Sequence, residues 1–170
     1  MFGVPKTPNI FVDTKYLDNI NMLRLISIFS FSFFFSAAAV AENPMMPDPT
    51  LSPERVIQIQ LQALQQNDSK GIAQTWAFAH PMNKSAIGRL ERFENMIKSP
   101  NYRMLLGHQK HMINSVLKTN NQALFAVKIY TTARKYVTYQ WELLKINSGP
   151  TAGSWTTIGV SIPLEAKDAI

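Results

Sequence analysis

An α+β domain, helices first and a curved antiparallel sheet second, is the fold this sequence predicts. Three observations carry that prediction. Apolar residues recur at helical spacing between residues 52 and 98, they alternate with a period of two after residue 108, and helical and strand segments never interleave. The 170 residues suit one domain, and 46% hydrophobic against 16% charged residues argues against wholesale disorder. With no cysteine in the chain, a disulfide framework, a thiolate metal site and a cysteine nucleophile are all excluded.

The chain opens on a targeting pattern. Leu25 to Ala41 carries no charged residue, Arg24 precedes it, and Ala37-Ala38-Ala39-Val40-Ala41 closes it with an A-x-A triplet before Glu42. A basic start, an apolar core and small residues at the cut are what signal peptidase reads, so cleavage is expected between Ala41 and Glu42. The expected destination is export, in a bacterium the periplasm. The alternative is an uncleaved anchor, though the run is at the short end of what crosses about 30 Å of hydrocarbon. Asp13 and Asp18 are awkward ahead of such a core, whereas Met22-Leu23-Arg24 makes a compact start. The expected organisation is therefore residues 1–21 upstream of a start at Met22, a signal segment 22–41, a Pro-rich linker 42–51, one domain 52–162 and a tail 163–170.

Ser52-Pro53-Glu54 reads as a helix start: a capping hydroxyl, proline at the first helical position and an acid in the first turn. Val56, Ile57, Gln60, Leu61 and Leu64 form one face, and Asn67-Asp68 ends it. A second helix is expected over Lys70–Ala79, with Ile72, Trp76 and Ala79 on one side; Pro81 interrupts it and Gly88 punctuates again. A third runs from Arg89 to Lys98, carrying Leu90, Phe93 and Ile97. Residues 112–117 read as a weak strand. Ala123, Phe125, Val127 and Ile129 alternate with more polar neighbours in a second strand, as do Val137, Tyr139, Trp141 and Leu143 in a third, and Trp155–Ile162 forms a fourth. A parallel nucleotide-binding sheet has no place in this order.

Val56…Ile59-Gln60-Leu61-x-Ala63-Leu64-x-x-Asn67-Asp68, followed by Gly71-Ile72-Ala73-x-Thr75-x-Ala77-Phe78-Ala79-x-Pro81-x-Asn83, resembles a family known as domain of unknown function 4864. Gly88-x-x-x-x-Phe93-x-x-Met96-Ile97, Tyr102-x-x-Leu105-Leu106-Gly107-His108 and the pair Trp155 and Val160 continue the likeness. His80 stands where the resemblance leads one to expect serine, and Thr131-Thr132-Ala133-Arg134 replaces a glycine-bearing turn. The resemblance implies a cone like that of nuclear transport factor 2 and ketosteroid isomerase, and it implies no activity.

In such a cone Val137, Tyr139, Trp141 and Leu143 should face the helices, leaving Glu142 outside with Thr138 and Gln140. Glu142 is the only acid between Phe125 and Ile162, so the strands offer no inward carboxylate as a general base. His108 and His111 form an H-x-x-H, but in an extended segment their rings should point to opposite faces, and no acid stands nearby. No metal and no cofactor are expected. His108 reads either as a pocket acid/base or as a hydrogen-bonded packing histidine. Trp76, Tyr102, His108, Tyr139 and Trp141 are the candidate pocket residues.

Two classes of function follow. One is an exported, non-catalytic module that binds a small apolar ligand or pairs with a protein across its sheet. The other is a cofactor-free enzyme of isomerase, lyase or hydrolase type, using His108 and Tyr102. The missing inward acid favours the first. Leu124, Tyr130 and Tyr136 make an outer apolar strip that would suit a homodimer. The net charge of +6 is dispersed along the chain, with no basic run to suggest nucleic acid, and membrane contact is expected only through an uncleaved signal segment.

Overall fold

Helices begin where their leading N–H groups find an acceptor, and among the described residues three of four helices do so through a side chain. A computed structural model describes residues 43–164. The expected start at Met22, the signal segment and the cut at Ala41 and Glu42 lie outside the described residues. Helix α1 (Pro53–Gln65) starts at Ser52, whose hydroxyl accepts from the Arg55 N–H at 3.1 Å. Helix α2 (Ser69–Ala77) starts at Asp68, whose carboxylate accepts from the Gly71 N–H at 2.7 Å.

The second helix stops at Ala77, not at the expected Ala79. Beyond it the backbone turns to the sheet: Thr157 donates to the Phe78 carbonyl and His80 to the Thr157 carbonyl, both at 2.8 Å. Pro81 does more than interrupt, because it opens a separate helix, α3 (Pro81–Ile87). His80 caps that helix, its Nδ1 accepting from the Met82 N–H at 3.2 Å. The unexpected histidine thus does what a serine hydroxyl would do there. Helix α4 (Leu90–Ile97) matches the third expected helix to within a residue at either end.

Four strands follow the short 3₁₀ turn Arg103–Leu105: β1 (Lys110–Lys118), β2 (Gln122–Tyr130), β3 (Tyr136–Lys145) and β4 (Trp155–Val160). They pair as an antiparallel meander in the order β1-β2-β3-β4, a curved sheet that does not close. Register shifts at Ser115/Leu117 and Glu142/Leu143 add local bends. The β2–β3 turn lacks glycine, so Arg134 itself takes the left-handed conformation, at φ 59°.

The pairs Phe125–Trp141 and Val127–Tyr139 lie side by side on the face that meets the helices. Tyr139, Trp141 and Leu143 are at most 1% exposed, whereas Glu142 lies on the opposite face and accepts from Gln122 at 2.9 Å. Each such buried side chain contributes roughly 1.5–3 kcal/mol. The segment expected as a linker is tied down in part: Met45 exchanges two hydrogen bonds with the Gln74 side chain, at 2.7 and 2.9 Å. Past β4 the chain keeps pairing, with Leu164 donating to the Thr138 carbonyl.

Candidate functional site

A cavity of about 190 Å³ lies between the helices and the β3–β4 side of the sheet. Leu64 of α1, Phe93, Met96 and Ile97 of α4, and Val160 of β4 supply its apolar walls. Its polar wall is built around Gln60, which sits on the apolar stripe of α1 and is 1% exposed. The Gln60 Oε1 accepts from Thr157 Oγ1 at 2.7 Å and from Trp141 Nε1 at 3.2 Å, while Trp141 Nε1 also reaches Thr157 Oγ1 at 3.1 Å. Its Nε2 donates to the Thr75 carbonyl at 3.0 Å, while Thr75 Oγ1 donates to the Gly71 carbonyl one turn earlier at 2.9 Å. Tyr102 closes another side, donating to the Val160 carbonyl at 3.2 Å.

These polar groups satisfy one another, as buried ones must. Among the described residues, Tyr102 is the only titratable one of the lining, and no Asp, Glu, His, Lys or Arg faces the cavity. The arrangement offers shape, apolar area and a few fixed dipoles.

Of the five candidate residues, the fold brings Tyr102 and Trp141 to this cavity and places the other three elsewhere. Trp76 stacks on Phe93 with ring centroids 4.9 Å apart. Tyr139 donates to the Asn101 carbonyl at 3.1 Å, and burial, helped by Tyr102, pushes its phenol up to about 12. His108 is buried, with Nδ1 2.7 Å from the Leu105 carbonyl.

One sequence expectation is overturned here. The rings of His108 and His111 do not point apart: His108 Nε2 lies 2.9 Å from His111 Nδ1. The argument from strand alternation fails because His108 precedes β1 and follows Gly107, whose φ of 64° turns the chain. Each ring spends a nitrogen on the other. Among the described residues, no group of three or more metal-ligating acids and histidines converges.

Gln60, Thr75, Asn83 and Thr157 were not singled out from the sequence as pocket residues. A glutamine within the otherwise apolar face Val56, Ile57, Leu61, Leu64 was the available signal, since a buried polar side chain needs partners. On the outer face Leu124 and Tyr130 are half-buried and Tyr136 is 59% exposed, with Met112 and Leu117 exposed beside them. Among the described residues, no helix is long and apolar enough to cross a membrane.

Residues 49–169 match the family described as Domain of unknown function (DUF4864). Comparison with curated proteins and with solved structures gave no match.

Proposed function

The chain belongs to the family described as Domain of unknown function (DUF4864), and we propose that it is a non-catalytic module holding a small apolar ligand between its helices and sheet. The observation that carries this reading is the cavity of about 190 Å³, whose lining joins apolar side chains to a hydrogen-bonded polar wall and, among the described residues, holds no Asp, Glu, His, Lys or Arg. Ligand pockets commonly run to about 300 Å³ and above, whereas an apolar cavity of about 150 Å³ takes benzene. The fitting ligand is therefore one or two rings, or a short branched chain, with at most one or two polar atoms. A cofactor-free enzyme using His108 and Tyr102 fits less well, because His108 is not among the residues lining the cavity that Tyr102 closes.

We place this module after export, on the strength of Arg24, the apolar run and the A-x-A triplet before Glu42. We also read the helices on their curved sheet as the cone of the nuclear-transport-factor-2-like superfamily, an assignment supported by the order of the elements. A homodimer through the sheet is the second reading, favoured by the exposure of Met112, Leu117 and Tyr136 on its outer face.

Native mass spectrometry of the protein taken directly from cells tests both readings, since it reports retained ligand and oligomer together. In parallel, indole added to the stripped protein should raise Tm, and Val160→Phe, which fills the cavity, should abolish that rise. Absence of both a retained mass and an indole effect would defeat the ligand reading. A monomer at all concentrations would defeat the dimer.

A further inference from the structure

A second concavity lies elsewhere, between the end of α1, the 3₁₀ turn and the β2–β3 hairpin. It is an open cleft of about 550 Å³. Three cations reach it, Lys98, Arg103 and Lys135, and among the described residues no acidic side chain lines it. Lys98 is already engaged, its Nζ 2.7 Å from the Glu94 carboxylate. Arg103 and Lys135 make no salt bridge among the described residues, and the Asn67 side chain has no hydrogen-bond partner among them. Met104 and Leu106, both half-buried, form an apolar wall beside these donors.

The backbone around the cleft is held in an unusual state. Asn67, at φ 53°, and Arg134, at φ 59°, are the two non-glycine residues with positive φ among the described residues. Asn67 lines the cleft, and Arg134 sits between the lining residues Ala133 and Lys135.

We propose that this cleft binds a phosphomonoester carried on an apolar body. Two uncommitted cations match a dianion, whereas a carboxylate would leave one of them unanswered. The Arg103 guanidinium supplies the planar fork that holds two phosphate oxygens, Lys135 neutralises the remaining charge, and the Asn67 amide donates a further bond. The apolar body lies against Met104 and Leu106. A soluble phosphomonoester and the headgroup of phosphatidic acid share this chemistry.

Calorimetric titration of the whole protein with hexyl phosphate, inorganic phosphate and hexanoate tests the proposal, with phosphatidylcholine vesicles containing phosphatidic acid as a further arm. Hexyl phosphate should bind, more tightly than inorganic phosphate or hexanoate, and should weaken as salt is added. The double variant Arg103→Gln/Lys135→Gln changes only exposed side chains, so Tm should hold, while hexyl phosphate affinity falls at least about tenfold. Lys110→Gln, on β1, should change nothing. Vesicle binding lost in the same double variant would identify the lipid headgroup as the source, and its absence would identify a soluble ester. Hexanoate binding as tightly as hexyl phosphate overturns the dianion match. Failure of hexyl phosphate to bind, or binding unmoved by the double variant with NMR shifts at Trp141 instead of Arg103, overturns the site.

Discussion

His108 Nε2 sits 2.9 Å from Nδ1 of His111, while His108 Nδ1 faces the Leu105 carbonyl at 2.7 Å. A carbonyl only accepts, so His108 must donate from Nδ1. In its neutral form its Nε2 is then an acceptor, and His111 donates to it. One added proton is tolerated, because a charged His108 can donate from both nitrogens to Leu105 and to a neutral His111. A second proton puts two donors face to face and breaks the bond. The pair therefore carries at most one charge while folded.

This pairing gives both His108 ring nitrogens fixed partners within the protein. His108→Gln should cost about 1 kcal/mol, as loss of part of a buried hydrogen-bond pair does. Tyr102→Phe removes a separate bond to Val160, with no shared partner. Urea unfolding of the two single variants and the double should show losses that add to within about 0.5 kcal/mol. Strong coupling, with retained stability and altered ligand retention, would return the two residues to a common working pocket.

The same geometry sets a pH dependence. Burial holds His80, His108 and His111 below the ordinary value of 6.5. Between the depressed folded values and the ordinary one the unfolded chain binds more protons. Stability is thus intact above about 6.5 and is lost as pH falls from there toward the folded values, where the loss stops growing. Tm should drop between about pH 7.5 and pH 5.5 by more than any carboxylate explains, since carboxylates titrate lower. His80→Ser keeps a capping oxygen at every pH and should flatten part of the curve. An unchanged slope in that variant would show that the His80 cap does not respond to pH.

Trp141 and Glu142 test the inside–outside assignment of β3. Trp141→Ala should cost roughly 3–5 kcal/mol, as truncation of a large buried aromatic does. Glu142→Ala loses only a bond to Gln122 on the outer face and should stay within about 0.5 kcal/mol. Equal losses in chemical denaturation would contradict the strand's orientation.

Gly71 sets how closely α1 and α2 approach. A Cβ at this position would lie 2.0 Å from the Ala63 carbonyl oxygen, which is backbone and cannot rotate away. Gly71→Ala should therefore cost about 1–3 kcal/mol or prevent folding. Gly159→Ala meets nothing within 4 Å and should be near neutral. Thermal unfolding of both variants decides it, and a tolerated alanine at Gly71 would mean that the two helices can separate.

The sequence exposed what is local and periodic. Ser52 sits immediately before an apolar stripe, and Tyr139 and Trp141 fall on one side of a strict alternation, so that cap and the buried sheet face were legible; Asp68 reads from the sequence only as the end of the first helix, although it caps the second. What joins distant segments was not. The Thr157 hydroxyl meets Gln60 across 97 residues, and no spacing announces such a pair. The break between α2 and α3 was hidden for the same reason: bonds to Thr157, far along the chain, draw residues 78–80 away from the helix. His108 met His111 because a single left-handed glycine defeated the strand rule.

The polar wall of the cavity gives the sharpest test of the buried network. Thr157→Val removes a hydroxyl that donates to Gln60 and accepts from Trp141, yet Trp141 Nε1 keeps its bond to Gln60. The expected cost is about 1 kcal/mol. Gln60→Met leaves Trp141 bonded to Thr157 but strips the Thr75 carbonyl of its donor, for about 1–3 kcal/mol. In the double variant Trp141 Nε1 loses both acceptors in a site 1% exposed, a penalty that neither single change incurs. The double loss should therefore exceed the sum of the singles by about 1–3 kcal/mol. Simple additivity would mean that water already reaches Trp141 from the cavity and replaces the missing acceptors. The space would then be wet, and an apolar ligand would have to displace that water to bind.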